Sequence, residues 1–117
     1  MKHPRAQELS ELLKALAHAT RLQILEELGK GTKCVTDIKD LLPVSQANVS
    51  QHLAILRHAK LVNFAQDAAL RCYYLSRPSL VKGVLSVLAR DHRIVEKSMT
   101  EIEREKIGIS RRKGRRP

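Results

Sequence analysis

The stretch Val44-Ser45-Gln46-Ala47-Asn48-Val49-Ser50-Gln51-His52-Leu53-Ala54-Ile55-Leu56-Arg57-His58, directly after Pro43, decides how the chain folds. Proline cannot continue a preceding helix, and Ser45 is a good N-cap for a new one running from Gln46 to about His58. Val49, Leu53 and Leu56 recur at i, i+4 and i+7 and predict a face turned to a core. The opposite side carries Gln46, Ala47, Ser50, Gln51 and Ala54, all small or polar.

Upstream, a short helix is predicted from near Cys34 to Leu42, with Val35, Ile38 and Leu42 on one face. The two helices meet across Pro43-Val44 as a helix-turn-helix. Before them, Thr20-Arg21-Leu22-Gln23 reads as a capping box; Leu22, Leu25 and Leu28 face inward, and Gly29 and Gly31 end the helix. The first helix spans roughly Arg5 to Ala17, with Leu9, Leu12, Leu13 and Leu16 on one face. Downstream, Leu61 to Gln66 and Leu70 to Leu75 are rich in β-formers around a polar break at Asp67, a two-stranded hairpin whose turn no glycine marks. Pro78 then opens a long helix, from about Ser79 to Lys106. Val81, Leu88, Val95 and Ile102 are spaced by sevens, as are Leu85, His92 and Met99, a seam suited to a partner helix. The expected architecture is four helices, a β-hairpin wing and one closing helix: mostly α, a winged helix-turn-helix. A small helical bundle with a polar solvent face is the plainer alternative.

The 117 residues amount to one domain. Net charge is +10, which favours an anionic partner, and the small polar face after Pro43 suits the major groove of double-stranded DNA. Gln and Asn can hydrogen-bond base edges, and Ala47 can meet a thymine methyl. One Phe, two Tyr and no Trp exclude an aromatic platform for single strands. Five bases and no acid lie between Arg111 and Pro117, so residues 107–117 are set apart as a basic, disordered tail and 1–106 as the domain. No signal peptide or membrane span is visible, which places the chain in the cytoplasm, where its two thiols would be reduced. There is no Gly-rich phosphate loop, no HExxH and no Ser/His/Asp arrangement, so the chain is not read as an enzyme.

The segments LLKALAHATRLQILEEL, CVTDIKDLLPVSQANVSQHLAILRHAKLV and YYL resemble the ArsR family of winged-helix repressors over about residues 8 to 92. VSQANVSQHLAILRHAKLV is the most specific part. The resemblance implies a homodimer joined by its first and last helices, with the fourth helix in the major groove of a palindromic operator. It further implies a repressor that leaves its operator when it senses a metal or metalloid, a thiol oxidant or reactive sulfur. On this reading Ser45, Gln46, Ala47, Asn48, Ser50, Gln51, His52, Arg57 and Lys60 contact DNA. Leu9, Leu13, Leu16, Val81, Leu85, Leu88, His92, Val95, Met99 and Ile102 form the dimer interface.

Four departures stand out. Where many metal-binding members have Cys-Val-Cys-Asp, this chain has Cys34-Val35-Thr36-Asp37, and one thiolate alone builds no tight metal site. The other familiar site, on the last helix, needs Asp-x-His; here Asp91 and His92 are adjacent, and Glu103 stands where the second His belongs. Lys60 replaces a common Gly before the first wing strand. The wing tip, Ala65-Gln66-Asp67-Ala68-Ala69, carries no base, so the wing should add little phosphate attraction.

Cys34 and Cys72 remain as effector candidates, a redox or soft-metal pair in a basic setting with Lys33 and Arg71, or else two unrelated structural cysteines. The chain before the third helix can pair with the last wing strand in such folds, bringing Lys33-Cys34 near Arg71-Cys72. Alternation puts Tyr73 and Leu75 on one face and Leu70, Cys72 and Tyr74 on the other, without saying which is outside. His92 is either a ligand or pH switch, or a polar residue fixing helix register. Two further function classes stay open: an effector-independent DNA binder, and a protein-interaction module using the long last helix.

Overall fold

A computed structural model of the chain describes residues 3–114, with the side chains of residues 3, 4, 67 and 108–114 outside the description. The elements are α1 (His3–Leu16), α2 (Ala19–Gly29), β1 (Lys33–Cys34), α3 (Val35–Leu41), α4 (Gln46–His58), β2 (Val62–Asp67), β3 (Leu70–Leu75), α5 (Pro78–Ala89) and α6 (Met99–Gly114). The expected helix-turn-helix and wing are present, and β1 extends the hairpin to a three-stranded antiparallel sheet of order β1-β3-β2.

Local chemistry sets most of the boundaries. Ser45 Oγ accepts from Asn48 N at 3.2 Å and opens α4. Asp37 reaches back to accept from Cys34 N at 3.2 Å and opens α3. The start of α2 corrects the capping box expected at Thr20: the N-cap is His18, whose Nδ1 accepts from Thr20 N at 3.1 Å. An imidazole nitrogen thus caps the helix in place of the Thr20 hydroxyl.

At its other end α4 stops in a Schellman motif. Lys60 N donates to Arg57 O at 2.9 Å and Leu61 N to Leu56 O at 2.9 Å, while Lys60 takes φ 61° and Leu61 is fully buried. A left-handed lysine is strained by its Cβ. Lys60→Gly is therefore expected to raise the unfolding free energy by up to about 1 kcal/mol in a denaturant titration. The hairpin turn likewise uses a non-glycine: Asp67 pairs with Leu70 around Ala68-Ala69, with Ala68 at φ 55°.

The core joins Ile24, Leu25 and Leu28 of α2, Ile38 of α3, Val49, Leu53 and Leu56 of α4, Leu61, Val62 and Tyr73 of the wing stem, and Val81 of α5. It fixes α4 against both α2 and the sheet and leaves the opposite face of α4 in solvent.

The long closing helix expected over Ser79–Lys106 is two helices. After α5, Arg90 turns extended at ψ 151°. The Val87 carbonyl, which a continuing helix would offer to Asp91 N, is taken instead by Arg90 N at 3.4 Å and by the His92 ring. Residues 90–98 are irregular. Ser98 then opens α6, its Oγ accepting from Glu101 N at 3.3 Å. The Ser98-x-x-Glu101 signal is a capping box in the sequence, masked by a heptad pattern that runs straight across the break. Ile107 to Gly114, expected to be a disordered tail, lie in α6; Arg115 to Pro117 fall outside the described residues. No helix among the described residues is long and apolar enough to cross a membrane.

Candidate nucleic-acid interface and thiol pair

The exposed side of α4 presents Gln46, Ala47, Asn48, Ser50, Gln51 and Ala54, with Ser45 exposed at its N-cap. All lie on or beside the surface opposite Val49, Leu53 and Leu56, as the spacing requires. Arg57, on the same edge of the helix as Gln46 and Ser50, is exposed, and so is Lys60 just beyond the C-cap.

His52 is the exception among the expected DNA contacts. It is half-buried on the α2 side of α4, its ring 4.3 Å from that of His18. Its Nδ1 and the nearby Arg21 Nε are buried without a hydrogen-bond partner among the described residues. The ring packs against the start of α2, beside rather than among the fully exposed side chains expected to contact DNA. Burial, with His18 and Arg21 close by, holds the His52 imidazole below its usual value of 6.5. The unfolded chain then takes the proton more readily than the folded one. The contribution of His52 to stability is whole above about pH 6.5 and falls as pH drops through that value toward the lower folded pKa. Unfolding free energy should decline between about pH 7.5 and 5.5, and His52→Gln should flatten that decline; parallel profiles for the two proteins would assign the loss to other groups.

Beside α4, the wing stem brings two arginines onto one ring. The Arg57 guanidinium lies 4.4 Å from the Phe64 centroid and that of Arg71 lies 4.6 Å from it. Arg71 sits on β3 opposite Gln66 of β2. The sequence shows no base at the wing tip and does not announce this one, because only the strand register reveals that residue 71 returns beside residue 57.

The sheet also settles the face of Cys72. Tyr73 is buried and Leu75 half-buried, whereas Leu70 and Tyr74 are exposed, so Cys72 lies on the outer face. β1 pairs with β3 in a register of Lys33 with Tyr73 and Cys34 with Cys72. The two cysteines are direct cross-strand partners with Cα atoms 4.0 Å apart, joined as a disulfide. The expected neighbourhood of Lys33 and Arg71 is shifted by this register: Lys33 stands opposite Tyr73, while Arg71 stays adjacent to Cys72 in sequence.

The residues expected at a dimer interface divide. Leu16 and Val81 are 6% and 1% exposed and belong to the chain's own core, which corrects their assignment to the interface. Leu13, Leu88, Val95 and Met99 are between 61% and 64% exposed, and Leu9, Leu85 and Ile102 are half-buried. Leu88, Val95 and Ile102 do not share one helical face, because the chain between α5 and α6 is irregular; this corrects the single seam. His92, expected on that seam, is spent on the end of α5. Ala6, Leu9, Leu13 and Ala17 make an open, mostly apolar stripe along α1, with Ser10 and Lys14 beside it.

Among the described residues no three His, Cys, Asp or Glu side chains converge on a point where a metal ion would be held. Asp91, His92 and Glu103 form no such group among the described residues. Cys34 and Cys72 would offer two soft donors only with their bond reduced.

Residues 18–63 match the model of the family described as bacterial regulatory protein, arsR family. The transcriptional activator HlyU of Vibrio cholerae is 42% identical over 79 residues, 68% of this chain and 72% of that protein. The HTH-type transcriptional repressor SmtB of Mycobacterium tuberculosis is 38% identical over 79 residues, 68% of this chain and 58% of that protein. Among solved structures, HlyU from Vibrio cholerae superposes with a TM-score of 0.69 at 32% identity, covering 76% of this chain and all of that one.

Proposed function

Since the chain belongs to the ArsR family of DNA-binding transcriptional regulators, we propose that it is a homodimeric repressor that reads a palindromic operator with α4 and leaves it when the Cys34–Cys72 pair changes its oxidation state. The observation that carries this reading is the cross-strand placement of the two cysteines on the outer face of the sheet that frames α4. A thiol pair so placed can give up two electrons and two protons to a hydroperoxide. One S–S bond forms, the O–O bond breaks, and the oxidant departs as water and an alcohol. The bond ties β3 of the wing to the residue that opens the helix-turn-helix, so its formation bears directly on how wing and recognition helix sit together. The relatives include both an activator and a repressor; release on oxidation is the repressor's logic.

Dimerisation is supported by the exposed apolar side chains of α1 and α5, Leu13, Val87 and Leu88, and by the open apolar stripe along α1. Two copies related by a two-fold axis would present two α4 helices about one turn of DNA apart, roughly 34 Å. Base reading rests on Gln46, Ala47, Ser50 and Gln51, with Ser45 and Asn48 at the edges. Gln51→Ala should cost specific binding about 1–3 kcal/mol with the fold intact; equal losses on operator and random duplex would remove its base contact.

The test of the whole reading is a titration of the duplex upstream of the protein's own gene, in reductant and after treatment with a hydroperoxide. Affinity should fall at least tenfold on oxidation, and Cys72→Ser should abolish the difference. Unchanged affinity in both states would leave an effector-independent binder. A response to a trivalent metalloid that needs both thiols, and none to peroxide, would make the pair a soft-ion ligand instead.

A further inference from the structure

Two guanidinium groups are held against one ring of the wing stem with no carboxylate beside either among the described residues. Arg57 and Arg71 are both exposed, both within 4.6 Å of the Phe64 centroid, and neither is in an ion pair with a described carboxylate. A guanidinium lying over a ring is weakly hydrated on that face and fixed in plane, while its N–H edges stay free to donate. The stack thus does for two arginines what a rigid fork does for one: it removes rotamer freedom before the ligand comes. Phe64 is half-buried and lies directly opposite buried Tyr73, with the two rings 5.4 Å apart, so the platform itself is anchored in the core.

Its position points to the ligand. Arg57 lies on the wing-side edge of α4, below Gln46 and Ser50, and Arg71 lies one residue pair from the end of the hairpin. With α4 in the major groove, the structure flanking that helix meets the phosphate strand that borders the groove. We propose that Arg57, Phe64 and Arg71 form a preorganised phosphodiester clamp on duplex DNA, bridging the recognition helix and the wing. The inference rests on the DNA-binding reading above. It also revises the expectation of a wing without phosphate attraction: the bare tip is compensated by a base on the returning strand.

Binding to phosphate is independent of sequence, so the probe is a random duplex of about 30 base pairs, with dissociation constants measured by fluorescence anisotropy across a series of salt concentrations. The slope of log affinity against log salt falls by about 0.9 for every phosphate that a variant no longer neutralises. Arg71→Ala and Arg57→Ala should each flatten the slope by about one, and the double variant by about two. Arg71→Lys should keep the slope, which a purely structural role would not predict. Phe64→Leu, checked for folding by its thermal melt, should weaken binding several-fold while both charges remain. A wild-type slope in Arg71→Ala overturns the clamp while leaving DNA binding intact. A wild-type protein that binds no duplex at low salt overturns the DNA reading and the clamp with it.

Discussion

Replacing Leu88 by Asp is expected to convert the protein to a monomer and to lower operator affinity by about a hundredfold or more, because a single half-site contact forfeits the gain of tethering two. Leu88 is 63% exposed on α5, so its loss opens no cavity in the protomer, and any fall in the thermal midpoint should be no more than the loss of association accounts for. In a dimer the same position would set two carboxylates near the two-fold axis, poorly solvated and mutually repelling. Sedimentation and an operator titration on one preparation check both halves. A Leu88→Asp protein that stays dimeric and binds as before would move the interface off α5. Val95, equivalent to Leu88 in the heptad pattern, is the poorer site for this test, since it lies in the irregular chain before α6.

Breaking the Cys34–Cys72 bond carries the second large effect. The two residues are 38 apart in sequence, and closing a loop of that length in the unfolded chain is worth about 2–4 kcal/mol by loop-entropy arguments. Denaturant unfolding in the presence of a reductant should therefore give a free energy lower by about that amount than under oxidising conditions. The double variant Cys34→Ser, Cys72→Ser should sit at the reduced value and ignore the redox state of the buffer. Coincident unfolding curves for the oxidised and reduced protein would show that the pair does not constrain the chain.

Both cases also show where the sequence can and cannot be read. The limits of α4 are legible because everything that sets them is local: Pro43 stops the helix before, Ser45 caps the start, and Lys60-Leu61 close the end. The core face of α4 follows from spacing alone, since Val49, Leu53 and Leu56 are all fully buried. The break between α5 and α6 is hidden because apolar residues continue at heptad intervals through it, while the two devices that make it, the His92 ring on the Val87 carbonyl and the Ser98 cap, are single polar side chains. The placement of His52 depends on its neighbour His18, far back at the start of α2, and no pattern within α4 marks that packing. The stack on Phe64 and the cysteine pairing both depend on strand register, which the alternation of β3 leaves open until β1 and β2 are laid beside it. Periodicity assigns Val81 and Leu16 to a partner, although the same periodicity serves a chain's own core equally well.

The wing is a lever with its fulcrum clamped. Ser76 N donates to Leu61 O at 3.0 Å and Ser76 Oγ to Lys60 O at 2.9 Å, so both strands leave the domain from one pinned point. Beyond it β2 and β3 run six residues each, an arm of about 20 Å at the usual rise per residue. The crossing to β1 at Cys72 braces that arm part-way along, and only the span from Gln66 and Arg71 to the turn overhangs the brace. A small angular play at the brace moves this short overhang little; the same play at the fulcrum sweeps the whole arm through an arc about three times longer. The sulfur bond therefore sets the working length of the arm, and its formation takes from the wing the play by which Arg71 would settle onto a duplex in the reduced protein.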